Sequence, residues 1–239
     1  MIAAKEKFRC KLRADLGFII DGSVGTAETL KKEQNFVKGV VSAFGISKDG
    51  AHAGVVVGGS KAKVAVKMNE HMNSSGFEVA VSSIGLLGGQ GQTRLDKALL
   101  LAYDELFTTG KGARDNVGQV LMLLTTKKQL DSVDGDSLRL AVSRFNEAGI
   151  KIIVVVVGKN PNKDILKTLA KDDKDVFYLE KFDEVTATSL QESIAKSACK
   201  ASGMYFGQGR CACLLSFCMW SEFQSVEVIL HCFECNVSA

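Results

Sequence analysis

The hydrophobic positions of this chain follow two alternating patterns. Short, continuous apolar runs indicate strands buried on both faces, and longer stretches with apolar residues three or four positions apart indicate amphipathic helices. The predicted strands span residues 16–20, 53–58, 62–66, 119–124, 151–157 and 176–178. The predicted helices span residues 26–44, 74–84, 93–107, 136–148, 162–170 and 183–198. Strands that alternate with helices in this way are typical of a parallel sheet covered on both faces.

One pair of strands departs from the alternation. Only Gly58-Gly59-Ser60-Lys61 separates the second apolar run from the third, and this connection is too short for a helical crossover. We therefore expect these two strands to form an antiparallel hairpin. The fold class predicted is α/β, with a doubly wound, mostly parallel six-stranded sheet, one antiparallel edge strand and helices on both faces.

Composition and charge exclude two classes of partner. The chain has 239 residues, enough for one α/β domain with an appended segment, and a formal net charge of +3. Acidic and basic residues are interspersed, so a broad basic surface for nucleic acid is not expected. No apolar run approaches the roughly 20 residues that span a bilayer. We therefore expect neither nucleic-acid binding nor a membrane span.

The cysteines bear on the cellular compartment. Residues 11–198 contain none of the seven cysteines, and Cys10 and Cys199 bracket this stretch. Because the ends of a domain often lie close together, a Cys10–Cys199 disulfide is predicted, and two unrelated buried thiols are the alternative. Disulfides persist in oxidising compartments, yet residues 1–7 show no hydrophobic secretory segment. We therefore expect a piece of a longer, secreted protein.

Candidate chemistry follows the first strand. Open α/β sheets bind ligands at the carboxyl edge, and the oxygen donors of Asp21 and Ser23 suit Mg²⁺, Mn²⁺ or Ca²⁺. The segment 21–25 resembles the metal-ion-dependent adhesion signature Asp-x-Ser-x-Ser of von Willebrand factor type A domains. Further phrases of that family recur in residues 88–99, 112–114, 147–152 and 177–179. Within this family, the chain resembles the A domains of matrilins and of non-fibrillar collagens.

This resemblance implies a domain division and a metal site with missing ligands. Residues 1–13 would be an N-terminal extension, 14–199 the A domain, and 200–239 a cysteine-rich tail without assignment. Asp21, Ser23 and Thr93 match family ligands, whereas Gly25 stands in place of the second serine and Thr126 in place of the aspartate. One carboxylate with two hydroxyls is a poor ligand set for a hard cation. We therefore expect Mg²⁺, Mn²⁺ or Ca²⁺ to bind weakly or not at all.

Two alternatives remain open at this site. Asp131 or Asp134 could supply a substitute carboxylate from the third loop. Conversely, Asp21 and Ser23 could serve only local hydrogen bonds in a metal-free remnant of the site.

The resemblance implies a non-enzymatic, protein-binding module of the extracellular matrix. Its partners would be matrix or cell-surface proteins, collagen-like ligands among them, and its contacts would be made by loop surfaces at the edge that carries Asp21. An intracellular A domain that scaffolds assembly is one alternative. A nucleotide-dependent enzyme on the same sheet is another, but no phosphate-binding loop follows the first strand. In the tail, Cys211, Cys213, Cys232 and Cys235 suggest disulfides, or a poorly folded end, rather than a zinc site, because the first pair lacks the usual spacing.

Overall fold

The structure, a computed structural model, describes residues 8–22, 26–87 and 94–218, with the backbone alone at residues 127, 131, 132 and 204–218. It contains a six-stranded sheet with the order β3-β2-β1-β4-β5-β6. The strands are β1 Ala14–Asp21, β2 His52–Gly58, β3 Lys63–Val66, β4 Gly118–Thr126, β5 Lys151–Val157 and β6 Val176–Leu179. All neighbours pair in parallel except β2 and β3, which are antiparallel. The predicted fold class and the hairpin are confirmed.

Burial explains why the central strands are apolar at successive positions. Every residue of β1 is buried, and so is every residue of β5 except Lys151 at its start. Helices cover both faces of the sheet, which leaves no solvent side for polar residues. Where Gly17 lies in β1, the ring of Phe107 approaches so closely that a Cβ atom would come within 2.5 Å of it. Glycine at this position therefore permits the Phe107 ring to pack directly on β1.

The helices form two layers. They are α1 Ala27–Val41, α2 Ser74–Ser82, α3 Leu95–Ala102, α4 Lys127–Ser132, α5 Gly135–Glu147, α6 Lys163–Leu169 and α7 Thr188–Cys218. The apolar faces of α1, α2 and α7 share one buried cluster with the sheet. Those of α3, α5 and α6 share a second cluster on the opposite face. Along residues 8–22, 26–87 and 94–218 no helix is both long and apolar enough to cross a bilayer.

The last helix differs from its prediction at both ends. Residues Phe182–Thr186 form a 3₁₀ helix, and α7 begins only at Thr188, because the intervening Ala187 is extended. The helix then continues past Cys199 to Cys218. Ser202 is fully buried, and its Cα would lie 2.2 Å from a Cβ built on Gly118 of β4. Packing against the sheet therefore extends at least three residues beyond the expected domain end at 199.

Two further helical segments were not predicted as they stand. The third predicted helix ends as a π-helical turn, Tyr103–Phe107, that follows α3. The short α4 comes directly after β4, where the sequence analysis expected a loop. This second difference matters because it lies at the candidate site.

A disulfide closes the domain at the amino end of β1. Cys10 and Cys199 are bonded, with their Cα atoms 5.8 Å apart and 189 positions apart in sequence. The backbone N–H of Cys10 also donates to the carbonyl oxygen of Ala43 at 2.7 Å, which ties the chain before β1 to the end of α1. The two cysteines thus join the first described residues to α7.

Candidate functional site

The carboxyl edge of the sheet brings two predicted site residues to adjacent strands. Asp21 is the last residue of β1 and is 4% exposed, and Thr126 is the last residue of the neighbouring β4. Ser23, Gly25 and Thr93 lie outside the described residues. Residues next to them reach the same edge: the N–H of Leu87 donates to the carbonyl of Gly22 at 3.2 Å, and that of Arg94 to Gly59 at 3.1 Å. The three loops named by the sequence therefore begin at one edge.

Thr126 is engaged in a capping box at the start of α4. Its hydroxyl accepts from the N–H of Gln129, while the side-chain oxygen of Gln129 accepts from the N–H of Thr126 at 2.9 Å. The hydroxyl of Thr125 donates to the same Gln129 oxygen at 2.8 Å. These bonds satisfy backbone donors that a helix start leaves open. The third loop therefore begins with a helix, and its N-cap is Thr126, the residue that the sequence analysis aligned with the family aspartate.

The substitute carboxylates do not complete a metal site in the residues described. Asp134 is the N-cap of α5, where its Oδ2 accepts from the N–H of Ser137 at 2.8 Å. This hydrogen bond is the largest cause that holds the pKa of Asp134 below its usual value. The side chain of Asp131 lies outside the described residues. Asp134 thus has a structural role at the exposed start of a helix.

Sequence reasoning missed one acidic residue at this edge. Glu33 of α1 is 1% exposed and lies beside Asp21, whose backbone N–H hydrogen-bonds its carboxylate. Burial raises the pKa of Glu33 well above its usual value, and the negative charge of Asp21 raises it further. Its Oε2 has no hydrogen-bond partner in the described part of the chain. The signal was readable, because Glu33 falls three positions after Leu30 and four before Val37, on the apolar face of the helix.

A local salt bridge lies at the start of α3, next to this edge. The guanidinium of Arg94 donates to both oxygens of Asp96, at 3.0 and 2.8 Å. Asp96 is 3% exposed, and its pKa is lowered chiefly by these hydrogen bonds. An acid in the first turn also suits the positive end of the helix dipole. The backbone bond from Arg94 to Gly59, and not this local pair, ties the start of α3 to the end of β2.

The donors described at this edge do not fit a divalent cation. Hard cations take six or more oxygen ligands with several charges among them. Thr126 and Asp134 are both engaged at helix starts. Within residues 8–22, 26–87 and 94–218, no group of three or more His, Cys, Asp or Glu side chains is arranged to hold a metal ion.

A family profile decides the classification. The profile of the von Willebrand factor type A domain matches residues 15–193. The chain belongs to this family. That assignment agrees with the predicted resemblance and with the sheet order described above.

Curated relatives of this von Willebrand A domain include large matrix proteins. The mouse collagen alpha-6(VI) chain is 31% identical over 184 residues, which cover 76% of this chain and 8% of the relative. The collagen alpha-1(XII) chain of Notophthalmus viridescens is 25% identical over 192 residues, covering 80% and 20%. The von Willebrand factor A domain-containing protein 2 of Xenopus laevis is 24% identical, covering 78% and 22%. The chain thus spans about a fifth or less of these relatives.

Solved structures show the same fold. Proximal thread matrix protein 1 of the mussel byssus superposes with a TM-score of 0.71 at 20% identity, over 80% of this chain and 48% of that one. A crystal of the same protein with a zinc-occupied metal-ion-dependent adhesion site has a TM-score of 0.66 at 23% identity, over 80% and 47%. Divalent metal binding therefore occurs in the family, in a protein of similar fold.

Proposed function

We propose that this chain is a non-enzymatic protein-binding module of the extracellular matrix and that it recognises its partner without a metal ion. The observation that carries the metal-free part is the capping box, in which the hydroxyl of Thr126 serves the start of α4. With Gly25 in place of the second serine, the donor set falls below what a hard cation needs. Loop surfaces at the edge of Asp21 and the start of α1 then make the contacts.

The relatives support a matrix partner. Collagen chains and an A-domain protein are among the curated proteins most similar to this chain. Their names lead us to propose matrix or cell-surface proteins as partners, collagens among them, and an extracellular location within a longer protein. The Cys10–Cys199 disulfide supports the same compartment, because such bonds persist where the environment is oxidising. It argues against an intracellular scaffold.

Binding with and without a chelator tests the proposal. The chain is passed over immobilised collagens and other matrix proteins, in buffer with Mg²⁺ and Mn²⁺ and in buffer with EDTA. We expect the same affinity in both buffers. Loss of binding in EDTA, or calorimetric binding of Mg²⁺ or Mn²⁺ tighter than about 1 mM, would contradict the metal-free mode.

A restored site provides the positive control. The double variant G25S/T126D returns both missing ligands, and T126D keeps the helix start because aspartate is as good an N-cap as threonine. We expect this variant to bind Mn²⁺ where the natural chain does not. The variant G25S/T126A, which lacks the carboxylate, should not gain metal binding.

A further inference from the structure

An open groove of about 440 Å³ runs beside the first helix, close to the candidate edge. Its volume lies within the range of small-ligand sites, roughly 300–1,000 Å³. The lining residues come from α1 and from the segment that follows α2: Ala27, Leu30, Lys31, Gln34, Lys38, Ser82, Ile84, Gly85 and Leu86. We call this feature the α1 groove.

Hydrogen bonds fix both walls of the α1 groove. Gln34 donates from Nε2 to the carbonyl oxygen of Ile84 at 2.8 Å, and Lys38 donates from Nζ to Oγ of Ser82 at 3.0 Å. The N–H of Leu87 then ties the same segment to the carbonyl of Gly22 at the end of β1. The groove is therefore formed before any partner arrives, and it continues into the edge that carries Asp21.

The lining combines apolar surface with positive charge. Leu30 is buried at 5% exposure, whereas Leu86 is 44% exposed. Lys31 and Lys38 are the charged residues among the described residues of the lining, and none of those residues is acidic. In the described part of the chain neither forms a salt bridge, whereas Lys32 next to Lys31 is paired with Glu28 and Asp183. The charge of the groove is thus available to a partner.

We infer that the α1 groove docks a partner segment with a large apolar side chain between carboxylates. The apolar side chain would pack on the exposed side chain of Leu86, and the carboxylates would meet Lys31 and Lys38. A basic segment lacks the carboxylates that the lysines need, and a purely polar segment lacks the apolar side chain. This inference rests on the proposed function, because it names the chemistry of the segment that the module recognises.

Three short peptides test the groove directly. Acetyl-Asp-Phe-Asp-amide has both features, acetyl-Asp-Ala-Asp-amide lacks the apolar side chain, and acetyl-Lys-Phe-Lys-amide reverses the charge. In ¹⁵N-labelled chain, we expect the first peptide to shift the amide signals of Leu30, Lys31 and Leu86 saturably. Its affinity should exceed that of the other two by about tenfold. Equal affinity for all three, shifts elsewhere on the surface, or no saturation up to about 10 mM would overturn the inference.

Matched variants locate the binding. L86A and the double variant K31Q/K38Q should each weaken the first peptide by about fivefold or more. L140A removes a leucine of α5 that is 66% exposed, more than Leu86, and K32Q removes the paired lysine of α1, so both should bind as the natural chain does. Equal effects of K32Q and K31Q/K38Q would contradict the assignment.

The same variants separate this inference from the proposed function. If matrix binding is metal-independent but unchanged in L86A and K31Q/K38Q, the groove assignment fails and the proposed function stands. If matrix binding is lost in EDTA while the peptide still binds the groove, the proposed function fails and the groove assignment stands.

Discussion

The two ends of β1 treat buried carboxylates in opposite ways. Asp15, at the amino end, is fully buried and accepts from the Nε of Arg114 at 2.8 Å, from its Nη2 at 2.6 Å and from its backbone N–H at 2.7 Å. At the carboxyl end, Asp21 lies beside the second buried acid, Glu33, whose Oε2 has no hydrogen-bond partner among the residues described.

The amino end of β1 therefore stabilises the fold, whereas the carboxyl end carries the candidate site. Burial raises the pKa of Asp15, and the contacts with Arg114 offset part of that cost within the chain. Arg114 also donates to the carbonyl oxygens of Ala14 and Gly50, so it links the start of β1 to the loop before β2. At the carboxyl end, the negative charge of Asp21 adds to the effect of burial and raises the pKa of Glu33 further. Buried carboxyl groups with a perturbed pKa are often found at functional sites.

Removal of the disulfide should have the largest effect at the amino end. The bond closes a loop of 189 positions, and loop-closure entropy places its contribution at about 4–5 kcal/mol, an upper figure. We expect C10A/C199A to lower the free energy of unfolding by up to that amount in urea denaturation. A reductant should destabilise the natural chain and leave C10A/C199A unchanged. An equal response of both proteins would show that other cysteines carry the effect.

Loss of the arginine at the amino end should come next. R114M leaves the Asp15 carboxylate buried without its cation, which costs about 3–5 kcal/mol in the free energy of unfolding. D15N should recover part of the loss in the double variant, because it removes the stranded charge. R139M is the control, since its pair with Asp136 is exposed and should have little effect. Similar losses for R114M and R139M would contradict the role of Arg114 as the buried partner of Asp15.

At the carboxyl end, replacement of Glu33 should raise the free energy of unfolding, whereas the replacements at the amino end lower it. The pKa of Glu33 is raised by folding, so the folded state favours its protonated form. Natural stability then declines as pH rises above the unfolded pKa, by at most about 1.4 kcal/mol per pH unit until the folded pKa is reached. E33Q stays neutral and escapes this decline. We expect E33Q to match the natural chain near about pH 4 and to exceed it by about 1–3 kcal/mol near about pH 8.

The control for Glu33 is another acid of the same helix. E28Q changes a side chain that is 75% exposed and should leave the pH profile of denaturation unchanged. A natural chain that becomes more stable relative to E33Q as pH rises would contradict the assignment, because it would require a cationic partner for Glu33.

The smallest expected effect concerns the helix start after β4. T126A removes the N-cap of α4 and should cost about 0.5–2 kcal/mol in the free energy of unfolding. T126D should stay within a few tenths of the natural value, because aspartate also accepts from the first helical N–H groups. If T126A is as stable as T126D, the capping box does not hold the third loop.

Much of the candidate site could be predicted from the sequence. The end of an apolar run placed Asp21 at the carboxyl edge, and the family resemblance placed Thr126 in a loop at the same edge; the structure shows Thr126 at the end of the adjacent strand. The capping signal Thr126-x-x-Gln129 was also readable in the sequence. Ser23, Gly25 and Thr93 lie outside the described residues, so their roles as ligands stay predictions.

The sequence by itself determined the strands, the hairpin and the family, because each depends on local periodicity and on short motifs. Tertiary structure alone decided that Glu33 would meet Asp21 and that Leu86 would stay exposed beside two lysines. It also decided that packing continues past residue 199 to Ser202. The physical reason is that burial and charge pairing depend on residues far apart in the chain, which only the packing of helices on the sheet brings together.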